Sequence, residues 1–151
     1  MKPEGMVHAL EEIHRLLKAD GILIDIHPFA EDFMVEVYQD GRLIFSEPRT
    51  GGSTEGYRLS DEALEQVVQR NHFVLERNEQ FDYHVYASSI DELFDYYAQI
   101  DAYEESIQGE LQEARQAEIY VRVEGILQEA GFGAEVASHE RVHIACLKPI
   151  K

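Results

Sequence analysis

The stretch MVHALEEIHRLLKADGILIDIHP, residues 6–28, decides the fold, because an amphipathic helix leads there directly into an apolar strand. One side of the helix is apolar at helical spacing, at positions Met6, Leu10, Ile13 and Leu17. Gly21 can adopt the left-handed conformation that ends a helix, and strand 22–26 follows until Pro28 stops it. Because this strand lacks a regular polar alternation, it is expected to be covered on both faces, as in a parallel sheet. The segment therefore predicts one helix–strand step of an open α/β sheet.

The next segment predicts antiparallel structure. Two apolar stretches, 33–38 and 43–45, flank Asp40-Gly41, which can supply the positive φ angles of a type I′ turn. A β-hairpin is therefore expected. A Gly-rich loop at 48–57 follows it.

Two further elements are predicted in the middle of the chain. A helix is expected to begin at Ser60, since serine followed by acidic residues is typical of a helix N-terminus. Apolar residues at odd positions over 73–86 predict either one long strand or a hairpin that turns near Asn78. Either arrangement would extend the antiparallel sheet.

The last third of the chain predicts helices and a closing pair of strands. A capping box at 89–92 begins a helix. Helical spacing continues over 104–130, but the apolar stripe shifts, which predicts two helices or a kink at 116–118. The segments 134–136 and 142–147 then predict a terminal strand pair.

These elements are expected to form a single domain over 1–151 with three parts. Residues 1–28 hold the helix and a parallel-type strand, 29–88 an inserted antiparallel hairpin, helix and strand, and 89–151 the helices and the terminal strand pair. The expected fold class is α/β for the complete arrangement and α+β for this fragment of it.

Charge argues against two classes of partner. The 151 residues include 13 Lys and Arg against 30 Asp and Glu, a formal net charge of −17, so neither nucleic acid nor an anionic membrane surface is an expected partner.

A single cysteine, Cys146, excludes an internal disulfide and a Cys-rich zinc site. No targeting segment or membrane-length apolar run is recognised, which predicts a cytoplasmic location.

Two stretches near opposite ends of the chain resemble one family. HALEEIHRLLKADGILIDIHP, residues 8–28, resembles the helix and fifth strand of class I S-adenosylmethionine-dependent methyltransferases. That helix usually ends in an R-x-L-K-P-G-G-like turn, in which Ala19 and Asp20 here replace the proline and the first glycine. ILQEAGFGAEVASHERVHIACLKP, residues 126–149, resembles the last helix, the G-F turn and the final antiparallel strand pair. The intervening stretch, including 73–97, resembles a bacterial subgroup with an inserted antiparallel sheet.

The resemblance implies the C-terminal half of a Rossmann-like methyltransferase fold. The family binds its cofactor through a Gly-rich turn after the first strand and an acidic residue after the second. No strand–GxGxG–helix unit occurs in this sequence, and Gly51-Gly52 lies between a hairpin and a helix without a preceding parallel strand. We therefore expect S-adenosylmethionine to bind only if a longer chain or a partner supplies the cofactor-binding N-terminal half. The chain is then a natural fragment, the product of a misplaced start or a degenerate gene.

Candidate site residues follow from this placement. Ligands of open α/β sheets bind beyond the carboxyl ends of the strands, which selects His27 as the candidate acid or base and Phe29 as a binding residue. The alternative is a strand-end histidine that only hydrogen-bonds its neighbours. Aromatic and imidazole side chains of the hairpin and the long strand would line an acceptor pocket, namely Tyr38, Tyr83, His84 and Tyr86. Strand alternation explains these four equally well as sheet surface and core.

No metal site is predicted. His8 and His14 face the polar side of the first helix without i,i+4 spacing. His139 and His143 are four residues apart, but in a predicted strand pair with no carboxylate or cysteine to complete a set of ligands.

The predicted function is that of a partial, methyltransferase-like protein that carries the acceptor side and neither binds S-adenosylmethionine nor catalyses transfer alone. An apolar strand with an unpaired edge predicts a homodimer or a partner subunit, and the expected acceptor is a small molecule. The alternative is a small α+β ligand-binding or protein-interaction module without enzymatic activity. Its ligand pocket would be lined by Phe33, Phe81, Tyr83 and Phe94.

Overall fold

The computed structural model of the protein describes residues 3–49, 54–103 and 110–151 and shows a mixed α+β fold. Its helices and strands have the bounds α1 Pro3–Leu16, β1 Leu23–Pro28, β2 Met34–Gln39, β3 Arg42–Pro48, α2 Glu55–Gln69, β4 Phe73–Ala87, α3 Ile90–Tyr103, α4 Glu110–Ala130 and β5 Ala134–Pro149. The strands form a five-stranded sheet in the order β1-β5-β2-β3, with β4 also paired to β5, and β1–β5, β2–β3 and β2–β5 are antiparallel. The expected α+β character is confirmed, whereas the Rossmann-like assignment stays a prediction.

Contacts divide the chain into two compact units. The first comprises residues within 1–31, 54–81 and 141–151, and the second comprises residues within 32–53 and 82–140. The long strands β4 and β5 each contribute one section to the first unit and one to the second.

The first unit is built from α1, α2 and the antiparallel pair β1–β5, in which Leu23 lies opposite Leu147. The helices cover one face of this pair, and the buried core there includes Val7, Ala63, Leu64, Val67, Phe73, Ala145 and Leu147. The predicted apolar side of α1 is confirmed in part, since Met6, Leu10 and Leu17 pack against this core.

The surroundings of β1 differ from the prediction. The sequence predicted a parallel-type strand covered on both faces, whereas β1 is antiparallel to β5 and ends the strand order among the described residues. Leu23 joins the helix-covered core, but Ile22, Ile24 and Ile26 are 48%, 53% and 58% exposed. The helices of this unit cover only one face of the strand. An apolar sequence therefore acquires an alternating burial pattern from its packing.

The second unit holds the hairpin β2–β3, the helices α3 and α4, and the other sections of β4 and β5. The predicted hairpin turn is confirmed, with φ angles of 49° at Asp40 and 75° at Gly41. β2 also pairs with β5, where Val37 lies opposite Val136. The buried core of this unit includes Val35, Val37, Leu93, Tyr97, Ile119, Val123 and Val136.

One helix prediction was wrong and a second is narrowed by the structure. Ser60 does not begin a helix, because α2 starts at its cap Thr54 and the Ser60 hydroxyl donates to the Gly56 carbonyl at 3.0 Å. A break into two helices at 116–118 is not observed, because α4 runs through these positions as one helix, whereas a kink there stays a prediction. The interval 104–109 between α3 and α4 lies outside the described residues. None of the described helices is long and apolar enough to cross a membrane.

Two strand predictions were resolved by the structure. β4 is one long strand that passes through Asn78 without a turn, which is one of the two expected alternatives. The expected terminal pair of strands is instead the single strand β5. Residues 137–141 between the two predicted strands contain no glycine or proline to reverse the chain, and pairing with β1 and β2 keeps them extended.

Candidate functional site

Two groups of histidine and carboxylate side chains lie within the described residues, one in each unit. The His27 cluster, which we define as Asp25, His27, Asp61 and His143, belongs to the first unit. His27 lies at the carboxyl end of β1, directly opposite His143 of β5, with the ring centroids 5.3 Å apart. Strand alternation places Asp25 on the same side as His27, and α2 supplies Asp61.

His27 bridges two carboxylates. Its Nδ1 bonds Asp25 Oδ2 at 2.5 Å and its Nε2 bonds Asp61 Oδ1 at 3.0 Å, and the side chain is only 9% exposed. The hydrogen bond to Asp25 raises the pKa of His27 above its usual value, against the lowering effect of burial, and Asp61 adds to the rise. The ring is thus favoured as a cation between two acids, with both nitrogens occupied.

His143 differs because one of its ring nitrogens is unsatisfied. Its Nε2 bonds Asn78 Oδ1, whereas its buried Nδ1 has no hydrogen-bond partner among the described residues and lies 3.9 Å from Asp61 Oδ1. Since the Asn78 oxygen accepts a hydrogen bond, the neutral ring carries its proton on Nε2 and a lone pair on Nδ1. His143 is therefore the ring in this cluster that has a nitrogen lone pair open to a hydrogen-bond donor.

A cavity of about 580 Å³ lies beside His143 in the first unit. Apolar side chains from α2, β4 and β5 form much of its wall, among them Leu64, Val68, Leu75 and Leu147. Asp61, Asn78, His143 and the ring of Phe29 also line it. An apolar wall with a few convergent polar groups is typical of a small-molecule site.

The structure places both sequence-predicted residues of β1 and its following loop near this cavity. Phe29 lines it directly, whereas His27 reaches it only through its hydrogen bond to Asp61. The sequence did not identify Asp61, Asn78 or His143. Asp61 is 34 residues from His27, and no local pattern links the two.

The Glu36 cluster, which we define as Glu36, Tyr38, Asp82, His84 and His139, belongs to the second unit. Glu36 has a side chain only 6% exposed and accepts hydrogen bonds from the Tyr38 hydroxyl at 2.7 Å and from His139 Nδ1 at 3.0 Å. His84 Nε2 lies 3.5 Å from Glu36 Oε2. The other nitrogen of His139, Nε2, bonds Asp82 Oδ1 at 3.0 Å. The two imidazoles stack with centroids 4.3 Å apart and an interplanar angle of 11°.

Hydrogen bonds set the charge states of this cluster. Burial acts to raise the pKa of the Glu36 carboxyl, but hydrogen bonds from Tyr38 and His139 outweigh it and hold the pKa below its usual value. Burial acts to lower the pKa of His139, but hydrogen bonds to Asp82 and Glu36 outweigh it and raise the pKa. Burial and the neighbouring carboxylate raise the pKa of Tyr38 well above its usual value. Glu36 is therefore an ionised carboxylate within a ring of donors.

Three of the four residues predicted to line an acceptor pocket come together here. Tyr86 lies 5.7 Å from Tyr38 and stacks on His84 at 5.9 Å, measured between ring centroids. Tyr83 is 46% exposed and faces the other side of β4 by strand alternation. The grouped rings surround Glu36, which the sequence did not select.

Glu36 did carry a sequence signal, since it is a charged residue between two valines in an otherwise apolar part of β2. Asp82 and His139 carried none, because they are 57 residues apart. The pocket expected from phenylalanines is not the cavity described above. Phe33 and Phe94 pack against the core of the second unit, and Phe81 is 43% exposed.

The expected absence of S-adenosylmethionine binding stays a prediction. Strand β1 continues through 29–33 into β2 and not through a Gly-rich turn into a helix, and the strand pairs given by their register are antiparallel. Gly51-Gly52, between β3 and α2, lies outside the described residues.

Comparison of the chain with protein families, with curated proteins and with solved structures gave no match.

Proposed function

We propose that the protein binds a small-molecule acceptor in the cavity beside His143 and serves as the acceptor-side part of a methyltransferase-like protein. The cofactor would be held by sequence or by a subunit beyond these 151 residues. The observation that carries the proposal is the cavity of about 580 Å³, which has His143 and Phe29, the residue directly after β1, in its wall. Its volume falls within the range of small-ligand pockets, roughly 300 to 1,000 Å³.

The polar groups of the cavity suggest how an acceptor is held. A hydroxyl or amine that reaches His143 Nδ1 would donate to its buried lone pair, which has no other hydrogen-bond partner among the described residues. Asp61 lies 3.9 Å from that nitrogen and would stabilise the imidazolium formed on proton uptake. His27 keeps Asp61 in place through its Nε2, so in this proposal it is a positioning residue and His143 is the acid or base.

Binding by small alcohols and amines with apolar bodies is the direct test. Such a set is screened by ¹H–¹⁵N NMR, and the expected shifts centre on His143, Asp61 and Leu75. Leu64→Trp fills the cavity and should abolish binding, whereas Val121→Trp, at an exposed position of α4 in the second unit, should leave it intact. Shifts confined to other regions, or equal binding by the filled variant, would overturn the proposal.

Calorimetry separates the cofactor from the acceptor. We expect no saturable heat with S-adenosylmethionine or S-adenosylhomocysteine, because the described residues lack a nucleotide-binding turn. Saturable binding to this chain alone would contradict the acceptor-side assignment without affecting the acceptor cavity.

A non-enzymatic ligand-binding module is the second candidate function. It is favoured by one observation, which is that both nitrogens of His27 are bonded to carboxylates and leave that ring no free atom for catalysis. The two candidates differ in the effect of His143→Gln. In a simple binding module, the variant should retain its ligand affinity within a few-fold. If His143 accepts a proton from the ligand, the variant should lose the pH dependence of ligand binding.

The proposal includes a second copy of the chain at β1. Ile22, Ile24 and Ile26 are each about half exposed, and the outer edge of β1 has no strand partner among the described residues. Two such edges can pair antiparallel about a two-fold axis, which closes the assembly as a dimer and brings the exposed isoleucines of both copies side by side on one face of the sheet.

A further inference from the structure

Beyond the proposed function, we propose that Glu36, His84 and His139 bind one divalent transition-metal ion of the zinc type. The three ligands come from β2, β4 and β5 and all belong to the second unit. One ligand atom from each lies within 4.8 Å of the others. Two imidazoles with one carboxylate are a ligand set that zinc and related ions favour, with a further position open to water or a ligand.

The distances between the ligand atoms are close to those around a tetrahedral ion. Zinc–nitrogen and zinc–oxygen bonds of about 2.0 to 2.1 Å place neighbouring tetrahedral ligand atoms about 3.3 Å apart. Glu36 Oε1 lies 3.0 Å from His139 Nδ1, and Glu36 Oε2 lies 3.5 Å from His84 Nε2. The two distances involve different oxygens of Glu36, and one atom from each of the three side chains lies within 4.8 Å of the others, so the side chains must draw closer together to bind the ion.

The groups behind the ligands also match a metal centre. His139 bonds Asp82 Oδ1 through Nε2 and directs Nδ1 at Glu36, which is the carboxylate–histidine arrangement that orients metal ligands. Tyr38 and Ser46 donate to Glu36 at 2.7 and 3.3 Å and hold its carboxylate in place. The rings of His84 and His139 are stacked nearly parallel, so one of them must turn before both ring planes can contain the ion.

Protons balance in the binding step. The ion takes the place of the proton that lies between His139 Nδ1 and Glu36, and this proton is released to solvent. His84 then carries its proton on Nδ1 so that Nε2 can bind the ion. The site therefore forms from the hydrogen-bonded cluster by exchange of protons for a cation, with no change of strand register.

The first unit contains a similar group, Asp25, His27 and His143, that is a poorer site. Asp25 Oδ2 lies only 2.5 Å from His27 Nδ1, well short of the spacing between tetrahedral ligand atoms. His143 Nε2 is already bonded to Asn78 Oδ1. We therefore place the ion on the Glu36 cluster alone.

Calorimetry of the chelator-treated full chain with Zn²⁺ tests the proposal, with Co²⁺ absorption as a second readout. We expect one ion per chain, a rise in melting temperature on zinc addition, and the visible Co²⁺ bands of a low-coordinate site. His84→Ala and His139→Ala should each weaken binding by at least about 100-fold, and Asp82→Asn by about tenfold because it only orients His139. His8→Ala, at an exposed position of α1, is the matched control and should bind as the unaltered chain does.

Circular dichroism establishes that each variant is folded, and His84 and Asp82 suit this test because their side chains are 25% and 63% exposed. Failure of the unaltered chain to bind Zn²⁺ would overturn the proposal. Binding that survives the double change His84→Ala with His139→Ala would also overturn it. So would loss of binding on His143→Ala, which would assign the ion to the His27 cluster.

Discussion

The His27 cluster and the Glu36 cluster use the same side chains in opposite arrangements. In the first unit one imidazole lies between two acids, Asp25 and Asp61. In the second unit one acid lies between two imidazoles, those of His84 and His139. Both nitrogens of His27 are bonded to its acids, and His139 likewise bridges Glu36 and Asp82, so carboxylates raise the pKa of the bridging imidazole in both clusters. A carboxylate between two imidazoles brings the lone pairs of one oxygen and two nitrogens close together, and these can bind a metal ion once the protons between them are lost.

The burial of the central group reinforces this difference. The side chains of His27 and Glu36 are 9% and 6% exposed, so each cluster depends on a charge held away from water. The flanking Asp61 and His84 are 41% and 25% exposed. Because buried charges are costly unless they are paired, loss of either central charge should matter more than loss of a flanking one.

The largest expected effect is that of Glu36→Gln, measured with a chelator present. Glutamine keeps one acceptor oxygen and places an NH2 donor at the other position, so the buried charge is lost and either His139 or Tyr38 loses its acceptor, which should lower the free energy of unfolding by about 3 kcal/mol. Urea unfolding followed by circular dichroism measures it. Glu135→Gln at an exposed position of β5 is the control and should change stability by less than about 0.5 kcal/mol. A loss below about 1 kcal/mol would show that the Glu36 charge is not needed.

The His27 cluster should respond unequally to loss of its two acids. Asp25→Asn replaces the charged acceptor of the shorter hydrogen bond by a neutral amide and should cost about 2 kcal/mol of unfolding free energy. Asp61→Asn should cost less than about 1 kcal/mol, because that side chain is 41% exposed and its charge is screened by water. Equal losses in the same urea experiment would contradict the asymmetry.

Self-association of the chain should depend on the exposed face of β1 in the first unit and not on the surface of α4 in the second unit. Ile24→Lys places a charge on the exposed face of β1 and should weaken the dimer at least about tenfold, which corresponds to about 1.4 kcal/mol. Val121→Lys on α4 of the second unit, where Val121 is 67% exposed, should leave the dimer intact. Sedimentation equilibrium measures both. A chain that is monomeric at micromolar concentration before any substitution would end this proposal.

The smallest expected effect is the dependence of stability on pH that the His27 cluster contributes. The folded-state pKa of His27 is raised above the usual 6.5, so its stabilising contribution is complete below about pH 6.5 and is lost as the pH rises through the folded-state pKa. The stability difference between the unaltered chain and Asp25→Asn should therefore shrink by about 1 kcal/mol between about pH 6 and about pH 9. Urea unfolding at the two pH values measures it. A difference that grows with pH would mean that His27 is neutral in the folded protein.

Local patterns predicted much of the secondary structure. The positive φ angles at Asp40 and Gly41, the alternation over 73–86 and the apolar side of the first helix depend on residues only a few positions apart. The capping box at 89–92 is also local, and the Glu92 backbone N–H donates to Ser89 Oγ at 3.2 Å. The start of α2 was missed because Thr54 caps the helix without a side-chain hydrogen bond, while Ser60 resembled a cap in sequence.

The candidate sites were only partly predictable. His27 and Phe29 were found because the end of an apolar strand is visible in sequence, and Tyr38, His84 and Tyr86 because they are polar aromatic side chains in predicted strands. The partners that give these residues their chemistry come from distant positions. His139 reaches Glu36 across 103 residues, and Asp61 reaches His27 across 34.

The sequence by itself determined the hairpin turn, the apolar strand at 22–26 and the acidic surface, because each depends on neighbouring residues or on composition alone. Only the tertiary structure decided that this strand is antiparallel with one exposed face, and that two acids surround His27 while two imidazoles surround Glu36. The physical reason is register. A shift of one residue between β5 and its neighbours would turn every side chain to the opposite face, and no local pattern fixes that choice.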